Sequence, residues 1–207
     1  MNFDRIARFY GPIETGFALG FLKRCREAFL HEIPTPHDVL MIGEGHGRFL
    51  SVFCKRFPGA AVTVVDGSER MLEISKTKLA DTSGIGFVHS MIEDWKTEKR
   101  YDLIITNFML DCVPEDQLEG VIEKIASLAK PSADWLVAEF HEPEKGPVKW
   151  CSRIIVGLLY AFFRKTTGIE SDRLCPHEVF FTKAGFACVR QRTSCGGLLK
   201  SEWWSKR

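Results

Sequence analysis

Three glycines at alternate positions, Gly43, Gly45 and Gly47, separate a short apolar run, Val39 to Ile42, from a segment of helical spacing, Arg48 to Arg56. Strand, glycine turn and helix together present free backbone N–H groups and a positive helix end to a ligand. Lacking Cβ atoms, such glycines reach φ > 0 and let a ligand approach the main chain. The second half of the pattern is Asp66, nineteen residues beyond Gly47 and at the tip of the next apolar run, Ala61 to Val65. A carboxylate there can accept hydrogen bonds from a ribose diol. Loop and acid together point to a nucleoside-containing cofactor.

The glycine spacing narrows the choice. A dinucleotide fingerprint, G-x-G-x-x-G, would need a small residue at position 48, where the chain has Arg48. Phosphate binding of the G-K-[ST] kind is excluded, because no such triplet follows the loop. Candidate residues for the chemistry lie where ligands of open α/β sheets bind, past the C-terminal ends of strands. They are Asn107, Phe108 and Asp111 after the fourth apolar run, and His141 and Glu142 after the fifth, with His177 a further candidate. Of these His141 is a base that can work at neutral pH, and Asp111 is the second candidate, although Leu110-Asp-Cys-Val also suits a helix cap.

The elements that must position these residues alternate regularly. Strands are expected at 39–42, 61–66, 85–89, 101–108 and 134–140. Helices are expected at 3–31, 48–56, 68–80, at 115–130 closed by Pro131, and at 176–185, with Ser68 a natural N-cap. Strand–helix alternation implies a mostly parallel sheet covered on both faces. The end of the chain departs from it: Phe186 to Arg192, a Ser194–Gly197 turn and Leu198 to Trp204 read as an antiparallel hairpin.

The G-x-G-x-G loop, together with Val64-Val-Asp-Gly-Ser-Glu-Arg-Met-Leu72, resembles the class I S-adenosylmethionine-dependent methyltransferases, and Phe3 to Tyr10 resembles the N-terminal segment of their quinone-biosynthesis type. The resemblance covers nearly the whole chain. It implies an α/β, Rossmann-like seven-stranded sheet with helices on both faces and a C-terminal antiparallel hairpin. It implies S-adenosyl-L-methionine as cofactor and S-adenosyl-L-homocysteine as product. The cofactor would meet Tyr10, Gly43, Glu44, Gly45, Gly47, Asp66, Gly67, Met71, Met91, Ile92, Asn107 and Phe108, with no metal. Two positions differ from the family pattern: Met41 stands where an acid usually precedes the first glycine, and Met91 where an Asp usually lies beside the adenine. Glu44 is the replacement expected opposite the cofactor's amino group, and Glu93 or Asp94 that beside the adenine, unless Met91 lines the pocket and the Ile92 backbone binds. The alternative is a catalytically silent protein of the same fold.

Length and composition set the frame. The 207 residues suit a single domain, with residues 1–36 as an N-terminal helical cap. The 28 basic and 27 acidic residues balance, so no global field favours nucleic acid. The chain has Asn107-Phe-Met-Leu where enzymes acting on nucleobases carry Asn-Pro-Pro-Tyr, which argues the same way. Seven cysteines without ligand spacing read as reduced thiols of a cytoplasmic protein. The N-terminus is no signal peptide, and no apolar run reaches transmembrane length. One segment stands apart: a hydrophobic helical insertion, 146–170, whose apolar core is flanked by Arg153, Arg164 and Lys165. Ten residues of helix reach about 15 Å, half a bilayer. The segment is therefore a lid over the substrate pocket, a homodimer contact, or a peripheral membrane contact through 150–165. A small or lipid-like hydrophobic acceptor is the expected substrate.

Overall fold

The computed structural model describes residues 19–79, 81–141 and 177–207. Tyr10, the first half of the N-terminal cap, Glu142 and the insertion at 146–170 lie outside the described residues.

Seven strands form one sheet in the order β3-β2-β1-β4-β5-β7-β6. β1 (Asp38–Ile42), β2 (Ala61–Asp66), β3 (Ile85–His89), β4 (Tyr101–Asn107) and β5 (Ala129–Phe140) run parallel. β6 (Phe186–Ser194) and β7 (Leu199–Lys206) form the expected hairpin, and β7 inserts antiparallel between β5 and β6. The parallel strands are Val-, Leu- and Ile-rich because both their faces are covered. One face packs Leu40, Ile104, Trp135 and Val137 against α4 (Glu115–Ser127) and α5 (Glu178–Lys183). The other packs Val39, Met41, Val64 and Ile105 against α2 (Arg48–Arg56), α3 (Glu69–Thr77) and the segment Phe29 to Ile33. Strand order reverses between β1 and β4, which opens the ligand crevice above their C-terminal ends.

Several boundaries differ from the sequence expectation. The helix expected through residue 31 is α1 (Leu19–Arg26) among the described residues. Bonds from Ala28 N–H to Cys25 O and from Leu30 N–H to Glu27 O tighten the chain after it. Helix α3 starts after Ser68, whose Oγ accepts from Met71 N–H at 3.2 Å, and stops at Thr77 instead of running to residue 80. α4 stops at Ser127, and Pro131 lies inside β5 instead of closing the helix. There the pairing with β4 jumps from Tyr101↔Ala129 to Leu103↔Asp134, and Ser132 takes φ 62°. A proline with no N–H to donate is tolerated at such an interruption of the ladder. Helix α5 is shorter at both ends than the expected 176–185.

Candidate functional site

The three loop glycines all take left-handed backbone, at φ 67°, 65° and 70°, but for different reasons. A Cβ on Gly43 would lie 2.8 Å from Met109 Cγ, and one on Gly47 would lie 2.8 Å from Ser75 Cα, so both positions are consumed by internal packing. A Cβ on Gly45 would meet nothing within 4 Å. This is the glycine whose bare α-carbon faces open space. Asp66 locks it: its Oδ2 accepts from Gly45 N–H at 3.1 Å, and its Oδ1 from Ser68 N–H at 2.9 Å. Gly43 N–H donates to Val65 O at 2.9 Å, which ties the loop to β2 a second time.

Glu44 turns towards the start of α2, where its Oε1 accepts from Leu50 N–H at 2.9 Å. Burial pushes its carboxyl up to about 7, against the downward pull of that bond and of the nearby Arg26 charge. A loop that carries its own carboxylate over a helix N-terminus disfavours a phosphate there and favours a cation. Met41, at the position where the family pattern carries an acid, is buried in the sheet's packed face.

The next strand ends bring up the other expected residues. A Cβ on Gly67 would lie 2.6 Å from Met91 Sδ, and Met91 is itself 39% exposed, so it forms an apolar wall beside Asp66. The neighbouring Ile92 and Met71 send their side chains into buried packing. Ser90 N–H donates to Asp66 O, and His89 Nε2 and Gly67 O lie 3.2 Å apart in a hydrogen bond.

At the other side of the crevice β4 ends on Asn107, which is buried and whose Nδ2 has no hydrogen-bond partner among the described residues. Phe108 follows at φ 55°, its ring 5.1 Å from that of Phe140 and 5.2 Å below the Arg26 guanidinium. His141 lies at the end of β5. Its Nδ1 is 3.0 Å from Gly197 O, and since a carbonyl only accepts, Nδ1 donates and Nε2 keeps the lone pair of a base.

Asp111 is not an isolated base. It shares a buried carboxyl pair with Glu139 and accepts from Cys112 Sγ at 3.4 Å. Burial, reinforced by the mutual repulsion of the pair, holds Glu139 well above the ordinary carboxylate range, and burial raises Asp111 too. Sequence reasoning missed Glu139: a single acid near the end of an apolar strand carries no motif.

His177 belongs to a separate ion network. Its Nε2 donates to Glu202 Oε2 at 2.5 Å, and Lys200 Nζ stands 2.5 Å from both Glu202 Oε1 and Glu178 Oε1. Burial acts upward on Glu202, yet His177 and Lys200 hold it down to about 2. His177, Glu178 and Glu202 have the ligand types of a metal site, but the Lys200 ammonium already compensates both carboxylates.

Comparison with known proteins agrees with this geometry. Residues 39–132 match the family model described as "Methyltransferase domain". The chain is 34% identical over 92 residues to malonyl-[acyl-carrier protein] O-methyltransferase 1 of Ilyobacter polytropus, covering 44% of this chain and 34% of that protein. It is 26% identical over 144 residues to demethylmenaquinone methyltransferase of Chlamydia pneumoniae, covering 69% and 61%. The chain thus spans about a third of the length of the first of these curated relatives. Magnesium protoporphyrin IX methyltransferase from Synechocystis, solved with S-adenosylhomocysteine, superposes with TM-score 0.67 at 18% identity over 99% of this chain and 94% of that one. The sheet order, glycine loop and strand-end acid define a class I methyltransferase fold. Residues 39–132 thus carry the sequence pattern of a methyltransferase domain, and the fold is shared with solved S-adenosylmethionine-dependent methyltransferases.

Proposed function

We propose that the chain is a S-adenosylmethionine-dependent methyltransferase, releasing S-adenosylhomocysteine and acting on a small or lipid-like hydrophobic acceptor. The observation that carries this reading is Gly45, left-handed, open at its α-carbon and braced on the Asp66 carboxylate. The surrounding residues fit the cofactor group by group. Asp66 is a ribose acceptor, Met91 and Gly67 border an apolar slot for the adenine, and Glu44 is a counter-charge for the amino group. The carboxylate in the loop counts against a pyrophosphate ligand, and so against a nicotinamide dehydrogenase.

When bound, the cofactor supplies an electrophilic methyl carbon. What remains for the protein is to orient the acceptor and exclude water. Phe108, Phe140 and Met109 give the acceptor side an apolar and aromatic lining. Where the acceptor atom loses a proton, His141 Nε2 takes it, held in that tautomer by the Nδ1–H bond to Gly197 O. We place the protein in the cytoplasm, in keeping with the unpaired thiols of Cys25, Cys54, Cys112, Cys188 and Cys195. No helix among the described residues is long and apolar enough to cross a membrane.

Calorimetric titration with S-adenosylmethionine and S-adenosylhomocysteine tests the reading. Binding that weakens by about 1–3 kcal/mol in Asp66→Ala, the scale of lost hydrogen bonds to a charged group, supports it. Absence of binding by the wild-type chain sinks it. Binding without methylation of any of a panel of apolar acceptors would favour a catalytically silent protein.

A further inference from the structure

We propose that Glu139 is a positioning residue that gathers the turn after β4 and thereby sets Met109 against the cofactor loop and Phe108 beside Phe140. The proposal rests on the reading that this loop binds S-adenosylmethionine. Glu139 is the penultimate residue of β5 and pairs in register with Lys200 of β7. It is 3% exposed. A carboxyl group so deeply placed needs partners for its oxygens. The donors are three consecutive backbone groups of one turn. Met109 N–H at 3.2 Å and Leu110 N–H at 3.0 Å reach Oε1, and Asp111 N–H at 3.4 Å reaches Oε2. A run of successive N–H groups curled round an anion is a nest. Here the acceptor oxygens are those of a carboxyl group of the chain itself.

The turn so gathered is the one at the crevice. Phe108 N–H donates back to Ala138 O at 2.7 Å, one residue before Glu139, so the chain is gripped on both sides of Phe108. Between the two grips Phe108 takes φ 55°, which a bulky side chain adopts only when its surroundings over-determine it. The next residue, Met109, fills the space over Gly43 that a Cβ would need. Glu139 therefore reaches the first glycine of the loop through one intervening side chain, without touching any ligand itself. Asp111 completes the arrangement by sharing a hydrogen bond with the Glu139 carboxyl.

The test compares Glu139→Ala and Glu139→Gln with Trp135→Phe, a control that loosens the same core by losing the Nε1 bond to Thr106 Oγ1. Amide hydrogen exchange at residues 109–111 and the Kd for S-adenosylhomocysteine are read for each. In Glu139→Ala, exchange at these amides and Kd both rise by about tenfold or more, the scale set by losing hydrogen bonds to a carboxylate. Glu139→Gln keeps one acceptor oxygen and restores most of both, and it serves alone if Glu139→Ala does not fold. Trp135→Phe lowers the melting temperature without moving Kd. Unchanged exchange in the Glu139 variants would overturn the proposal, as would an equal loss of affinity in the Trp135 control. If wild type binds no S-adenosylhomocysteine, the cofactor reading falls, and exchange alone decides whether Glu139 holds the turn.

Discussion

Replacing Glu44 by glutamine should make the ligand-free protein more stable at alkaline pH and leave it unchanged in mild acid. Burial lifts the folded-state value of Glu44 from 4.5 to about 7. The native state therefore holds a proton that the unfolded chain has already lost across that window. The contribution of Glu44 to stability is greatest below about 4.5, declines as pH rises towards 7, and is level above. The gap corresponds to roughly 3 kcal/mol of ionisation penalty at pH 8. Glu44→Gln removes the penalty and retains an amide oxygen for Leu50 N–H, so a gain of about 2–3 kcal/mol over wild type at pH 8 is expected. Urea unfolding at pH 5, 6.5 and 8 measures it. The two proteins should converge at pH 5 and separate progressively above. On the proposed function, in which Glu44 is the counter-charge of the ligand's ammonium, the same substitution should weaken S-adenosylmethionine binding. Parallel stability curves across this range, or a variant less stable than wild type at pH 8, would refute the reasoning.

Gly45→Ala should fold with a penalty of about 1–2 kcal/mol for its left-handed backbone and lose cofactor binding, because its Cβ enters the open space. Gly47→Ala should do the reverse damage, with thermal unfolding exposing a larger stability loss from the collision with Ser75. His141→Gln is expected to keep S-adenosylhomocysteine affinity while slowing methylation of a protonated acceptor by about 100-fold or more, the usual share of a general base. Lys200→Met should cost about 3–5 kcal/mol in denaturant titration, because it removes the ammonium from Glu202 Oε1 and leaves that buried carboxylate only His177 and Trp204, both on Oε2.

The sheet was legible in the sequence because parallel strands covered on both faces must be continuously apolar, as Leu103 to Ile105 and Val39 to Ile42 are. The loop was legible because left-handed backbone at three alternate positions demands glycine. What the spacing did not reveal is that the three glycines differ in purpose, since Met109 and Ser75 approach from elsewhere in the chain. The start of β5 was misread because Pro131 is both a helix terminator and a residue that a broken ladder tolerates. Glu139 was missed because its partners are backbone groups, which leave no trace in side-chain pattern.

The insertion of β7 has a consequence for the order in which the molecule can assemble. β1 to β5 pair with neighbours in a compact stretch of chain, whereas the outer edge of β5 is completed by a strand that begins only at Leu199. Until that strand arrives, Trp135, Val137 and the Glu139 carboxyl lie along an open edge, and open edges recruit other chains. The first half of β5 is irregular, with Pro131 and the left-handed Ser132, which makes that part of the edge a poor template during the wait. The edge of β5 that carries Glu139 is thus completed only when the C-terminal hairpin docks.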